Sequence, residues 1–268
     1  MSNLKKILKW LFAICLLFYI GICTYMYVVQ ENLIFKPESL SKNHQYEFSG
    51  DFEEFNIEVD QNVKLNALLF KSDASKGLIF YLHGNSGSLQ KWGEIANIYT
   101  DLNYDFFVFD YRGYGKSDSK ISSEEQFYND AKKVYEFITA SYNSNEINII
   151  GYSIGTAPAA MLASIYNPTR LILKAPYYSL PDLMSEHYPF IPTFLLKYEF
   201  RTYEYLQKMK AEVIIFHGNK DEVIDYQASE KLKDYFKKTD RLITLDGQKH
   251  SGMNNNKDYI YHLSQIFK

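Results

Sequence analysis

The sequence predicts an α/β fold, a mostly parallel central sheet covered by helices on both faces, and three observations carry that prediction. Gly77-Leu78-Ile79-Phe80-Tyr81-Leu82 is apolar without alternation, as a strand buried on both faces must be. From there to the C-terminus strand and helix signals alternate, the pattern of parallel strands joined by helical crossovers. Gly151-Tyr152-Ser153-Ile154-Gly155 falls directly between the apolar run Ile147-Asn148-Ile149-Ile150 and the small-residue stretch Thr156-Ala157-Pro158-Ala159-Ala160.

Composition bounds the answer. With 268 residues and 46% apolar content the chain can bury a full core, and the part beyond the N-terminal segment suits one catalytic domain. A net charge of −3 with scattered basic residues gives no footprint for nucleic acid. Cys15 and Cys23 both lie in the N-terminal apolar run, so the domain is expected to have no disulfide and no thiol chemistry. The 24 tyrosines and 19 phenylalanines read first as packing.

Lys5, Lys6 and Lys9 precede an uncharged run from Trp10 to Val29, long enough as a helix to cross roughly 30 Å of hydrocarbon. A cleaved signal peptide, a lipoprotein signal and a buried core helix are the alternatives. The run is longer than a signal-peptide apolar region, and isoleucine before each cysteine spoils a lipobox. An uncleaved anchor over residues 1–30 is therefore expected, with the lysines holding the short N-terminus in the cytoplasm and the domain on the extracytoplasmic side. A tether follows over 31–51, and the catalytic domain is expected over 52–268.

Within that domain, Phe52–Val59 and Val63–Phe70 read as an antiparallel pair turning near Asp60-Gln61-Asn62. The strand 77–82 ends in His83-Gly84-Asn85. A helix near 89–102 leads to a strand at 104–109, and a loop at 110–119 leads to a helix opened by the capping box Ser122-x-x-Glu125. The Ser153 strand and helix come next, then a strand at 171–174 and an insertion at 177–211. A strand at 212–216, a helix at 225–237, a strand at 242–245 and a closing helix from about Lys257 complete the chain.

A strand that turns at once into a helix puts its turn residue in a cramped conformation, and the flanking glycines leave room for it. Ser153 thus stands on a nucleophile elbow, with the Ile154 N–H free to donate to a developing oxyanion. A serine hydroxyl needs a positioned base. Of six histidines, His44 lies in the tether, His83 and His217 begin His-Gly loops, His187 is in the insertion and His262 in the last helix. His250, in the loop after the final strand, is the one placed to swing toward Ser153. Asp221, after the strand at 212–216, is the candidate to orient it, with Glu222 and Asp182 as rivals. The second oxyanion donor is expected from the Asn85 backbone N–H. Gly113-Tyr114-Gly115-Lys116-Ser117 has the look of a phosphate loop, but position 110 is aspartate where such a loop needs glycine. No zinc spacing is present, so neither cofactor nor metal is called for.

His83-Gly84-Asn85, Asp110-Tyr111-Arg112-Gly113-Tyr114-Gly115-Lys116-Ser117, Gly151-Tyr152-Ser153-Ile154-Gly155 and His217-Gly218-Asn219-Lys220-Asp221 together resemble the α/β-hydrolase superfamily, closest to its membrane-anchored Bem46-like serine hydrolases. The resemblance runs from about Phe52 to the C-terminus and implies an α/β-hydrolase fold with a triad in the order Ser, Asp, His. It associates the chain with lipid, acyl-ester or acyl-thioester hydrolysis and with some peptidase-like activities. One departure is the loop Gly247-Gln248-Lys249-His250, where many relatives have Gly-Gly-x-His.

In such a fold the insertion 177–211 is a cap over the nucleophile. It is rich in aromatic and aliphatic side chains, and Pro181, Pro189 and Pro192 favour short helical pieces. An apolar cap beside a membrane makes a lipid-like acyl substrate the economical expectation. A peptidase or amidase with the same triad, and a catalytically silent binding module, are the alternatives.

Overall fold

The computed structural model describes residues 2–268. Helix α1 (Ser2–Ile34) contains the whole uncharged run and continues past it, and its most apolar window is 0% buried against the rest of the chain. The core-helix alternative is thereby removed, because the rest of the chain does not cover this helix. Strand β1 (Lys36–Pro37) follows, then the antiparallel pair β2 (Phe52–Asp60) and β3 (Val63–Phe70), with Phe55 opposite Ala67.

Strand β4 (Leu78–Leu82) leads through β5 (Ser86–Gly87) to the short helices α2 (Leu89–Trp92) and α3 (Asn97–Thr100), then to β6 (Asp105–Phe109) and α4 (Glu124–Ile138). Next come β7 (Ile147–Tyr152), α5 (Thr156–Tyr166), β8 (Arg170–Lys174), α6 (Leu180–His187) and α7 (Thr202–Leu206). The chain closes with β9 (Glu212–Gly218), α8 (Gln227–Leu232), β10 (Arg241–Leu245) and α9 (Lys257–Ile266). Eight strands form one sheet in the order β10-β9-β8-β7-β4-β6-β3-β2, parallel from β10 to β6 and antiparallel at the β6, β3, β2 edge.

β4, β6 and β7 are buried at every position, which explains their lack of alternation. One core packs Phe80, Phe107, Tyr135 and Leu162 between the sheet and α4 and α5; the other packs Tyr81, Trp92, Phe106 and Tyr259 under α2, α3 and α9. Each such side chain contributes about 1.5–3 kcal/mol of burial, so the sheet is held from both faces. Strand order reverses around β4 and β7, and the C-terminal ends of those strands open the crevice where such folds place ligands.

Local details differ from the sequence expectations. The helix expected near 89–102 is broken into α2, a tight turn at Gly93–Ile95 and α3, where the Phe48 ring presses so close that a Cβ on Gly93 would stand 2.4 Å from it. The cap of α4 is Ser123, not Ser122: its side chain accepts the Gln126 N–H at 3.1 Å, while Gln126 Oε1 accepts from the Ser122 N–H. The helix expected over 225–237 is α8 followed by a tight turn at Lys233–Tyr235. Residues 31–51 lie against the domain throughout much of their length. β1 pairs in parallel with β5, Leu40 N–H donates to the Gly115 carbonyl at 2.9 Å, and Tyr46 is buried against the sheet.

Candidate active site

The crevice is built from four turns at the C-terminal ends of β4, β7, β9 and β10. At the end of β7, Ser153 has φ +53°, a conformation that costs energy in any residue but glycine and that turns its side chain out of the strand. The two glycines around it are required by contact. A Cβ on Gly155 would lie 2.3 Å from the Leu82 carbonyl oxygen, and one on Gly151 would lie 2.5 Å from that of Gly155. The elbow is thus pressed onto β4, which brings the His83-Gly84-Asn85 turn beside Ser153.

His250 Nε2 lies 3.1 Å from Ser153 Oγ, and His250 Nδ1 lies 2.8 Å from Asp221 Oδ2. Among the described residues His250 is the histidine that reaches Ser153. Asp221 Oδ1 accepts the Val223 and Ile224 N–H groups, each at 2.9 Å, so the carboxylate is fixed before it meets His250. Burial by itself would raise its pKa. The hydrogen bonds from His217 and His250 and the Ile224 N–H outweigh that, and the carboxyl is held well below the usual range. The rivals lie elsewhere: Glu222 approaches only the His250 backbone N–H, at 3.4 Å, and Asp182 binds Lys231 at 2.8 Å.

The Asn85 carbonyl accepts from the Lys36 N–H at 2.9 Å and the Tyr114 hydroxyl at 2.8 Å, and its side-chain amide donates to the Ile34 carbonyl at 3.2 Å. With those groups engaged on the far side, its N–H has no acceptor among the described residues. Ile154 opens the helical turn after Ser153, where an N–H has no partner in the preceding turn. Asn85, Ser153 and Ile154 line one cavity of about 390 Å³, roofed by α6 and the segment after it. Its floor offers a hydroxyl with a base at hydrogen-bond distance and a carboxylate behind that base, with Asn85 and Ile154 beside the hydroxyl. Such a set can transfer an acyl group.

Three features were not picked out from the sequence. His217, fully buried, sits 3.2 Å from Asp221 Oδ2 while its Nδ1 meets Ser229 Oγ at 2.6 Å. Asp221 therefore stands between two imidazoles. The i, i+4 spacing of His217 and Asp221 across the turn after β9 was the available signal. Lys174, which ends β8, is buried beneath the elbow, its ammonium nitrogen 4.4 Å from the Tyr259 ring centre and hydrogen-bonded to Asn254 in the turn after His250. Burial pushes its pKa well below the ordinary lysine value. A charged residue directly after the apolar run Leu171-Ile172-Leu173 was its mark. The third feature is that Tyr27, Gln30, Leu33 and Ile34 of α1 form part of the cavity wall; no local pattern announces it.

Comparison with known proteins accords with this geometry. The family model for the alpha/beta hydrolase fold matches residues 77–193. An uncharacterised protein of Acanthamoeba polyphaga mimivirus is 27% identical over 236 residues, 79% of each chain. The alpha/beta hydrolase domain-containing protein 17C of Xenopus tropicalis is 30% identical over 204 residues, which is 73% of this chain and 63% of the frog protein's length. Among solved structures, an esterase of Pyrococcus furiosus superposes with a TM-score of 0.69 at 18% identity, over 86% of this chain and 97% of the esterase. The chain belongs to the α/β-hydrolase superfamily. Hydrolysis is the class of chemistry that this membership supports.

Proposed function

We propose that the protein is a membrane-anchored serine hydrolase that cleaves an acyl ester or thioester through Ser153, His250 and Asp221. The observation that carries this is the unbroken chain of contacts from Ser153 Oγ through His250 to Asp221, on a strained elbow at the floor of an apolar cavity. As Ser153 Oγ attacks the acyl carbonyl, its proton passes to His250 Nε2, and the Asn85 and Ile154 N–H groups receive the oxyanion. Asp221 fixes the Nδ1–H tautomer and stabilises the imidazolium. His250 then gives the proton to the departing alcohol or thiol, and a water deprotonated by the same nitrogen releases the acid from Ser153. The mostly apolar side chains of the cavity wall, with Leu183, Ile191 and Leu195 among them, suit an acyl chain better than a peptide terminus. On this reading residues 1–30 serve as an uncleaved anchor and 177–211 as the cap within the domain 52–268, and the lysines before the apolar run support a domain outside the cytoplasm.

Labelling of the detergent-solubilised protein by a fluorophosphonate tests the nucleophile without assuming a substrate. Wild type is expected to label while Ser153→Ala and His250→Ala do not, and Ser153→Ala is expected to lower turnover about 10⁶-fold while remaining folded. A folded wild type that takes up no label, or a Ser153→Ala variant that turns over normally, would end this reading.

A further inference from the structure

The segment Tyr188-Pro189-Phe190-Ile191-Pro192-Thr193-Phe194-Leu195-Leu196 is uncharged from end to end, and Phe190 and Phe194 are each 83% exposed. In water those two rings would forgo about 1.5–3 kcal/mol of burial apiece. Their neighbour is α1: the Tyr19 hydroxyl donates to the Phe190 carbonyl at 2.9 Å. Tyr19 lies some three turns before Val29, where the uncharged run ends, or about 15 Å along the helix axis. The tip of the cap therefore runs beside the span to about half the depth of a ~30 Å hydrocarbon layer.

Backbone in hydrocarbon must have its polar groups satisfied, and this loop has many of its own accounted for. Pro189 and Pro192 have no N–H to satisfy. Ile191, Leu195 and Leu196 donate to the Tyr188, Pro192 and Thr193 carbonyls at 2.9, 3.1 and 3.0 Å. The Leu195 carbonyl accepts the Gln30 amide at 3.2 Å, and the same side chain accepts the Lys197 N–H at 2.8 Å. The first charge after the loop, Lys197, pairs with Glu31 just beyond the uncharged run, at 3.0 Å. Charged groups on the two elements thus end at one level, as they do at a membrane surface.

We propose that the cap tip, residues 188–196, is seated in the leaflet on the domain's side. The cavity between it and α1 is then an acyl-chain slot, and it admits its substrate sideways from the bilayer. This rests on the hydrolase reading above and narrows it: the substrate is a membrane-resident amphiphile whose chain lies against Leu33, Ile34, Ile191 and Leu195 while its carbonyl meets Ser153. The occupant follows from the walls, which are the span itself, a lipid-facing loop and the elbow. Phe190 and Phe194 do not line the slot and act only on the seating of the tip.

Two measurements on the full chain in phosphatidylcholine vesicles test this. A tryptophan placed by Phe190→Trp in a Trp10→Phe background is expected to be quenched by lipids brominated at mid-chain, whereas Trp92, 4% exposed inside the domain, is not. Unquenched emission at that position would overturn the proposal. In parallel, Phe190→Asp combined with Phe194→Asp is expected to keep fluorophosphonate labelling of Ser153 but to slow hydrolysis of p-nitrophenyl palmitate carried in the vesicles by about tenfold or more, because carboxylates resist entry into hydrocarbon. Undiminished hydrolysis of the vesicle-borne ester by that variant would also overturn it. Failure of wild type to label would refute the hydrolase reading instead, with the quenching still deciding where the tip lies.

Discussion

At the scale of single residues, Asp221 shows how a carboxylate is made into a fixed support. One oxygen is held by two backbone N–H groups and the other by His250 and the buried His217. Because these contacts lower its folded pKa, the stability it contributes is fully present above the ordinary carboxylate value and is lost only as pH falls through the lower folded value. Asp221→Asn is expected to reduce turnover about 10⁴-fold, through loss of the Nδ1–H tautomer. In acid unfolding, wild type should keep its margin over that variant down to about pH 4 and lose it progressively below, because there the carboxyl of the unfolded chain begins to take up a proton that the folded one still refuses. Turnover lost at higher pH must come from another group. Ser153, Asp221 and His250 could be chosen from sequence because each follows a strand that the apolar pattern marks. His217 and Lys174 could not, since a buried polar side chain is defined by neighbours far along the chain.

At the scale of elements, the elbow was legible because two periodicities meet at Ser153, the run of β7 and the small residues of α5. The capping of α4 was not. Ser122 with Glu125 and Ser123 with Gln126 satisfy the same local pattern, and only the packing of Phe127, Ala131 and Val134 against the core selects the second. Contact also turns the elbow glycines from a motif into a requirement. Gly155→Ala would drive a methyl into the Leu82 and His83 carbonyls, which are backbone and held in or next to β4. The expected cost is about 1–3 kcal/mol in denaturant unfolding, with fluorophosphonate labelling slowed in the fraction that folds, since the Ile154 N–H must shift with its neighbour. A variant as stable and as reactive as wild type would show that the elbow has slack the structure does not suggest.

At the scale of the whole molecule, helix α1 and the site are one piece. Phe35 is buried against Phe127 and Tyr198, β1 pairs with β5, and the Asn85 amide holds the Ile34 carbonyl. A linker of ordinary composition hid this, because Lys36-Pro37 finds its partner Ser86-Gly87 only once the sheet exists. Removal of the apolar run by a signal peptidase would strip the support from one wall of the cavity. N-terminal sequencing of the membrane-extracted protein is therefore expected to begin at the first residues of the chain and not after Cys23. The Asn85 clamp also sets an altitude. Ile34 lies little more than one helical turn past the end of the uncharged run, about 7 Å along the axis. That is roughly the thickness of the polar layer on one side of a bilayer. On the proposed seating of α1, the Asn85 turn beside Ser153 would thus stand at the outer side of that polar layer. In a molecule carrying several similar ester bonds, height above the hydrocarbon, more than the reactivity of each carbonyl, would then select the one that is cut.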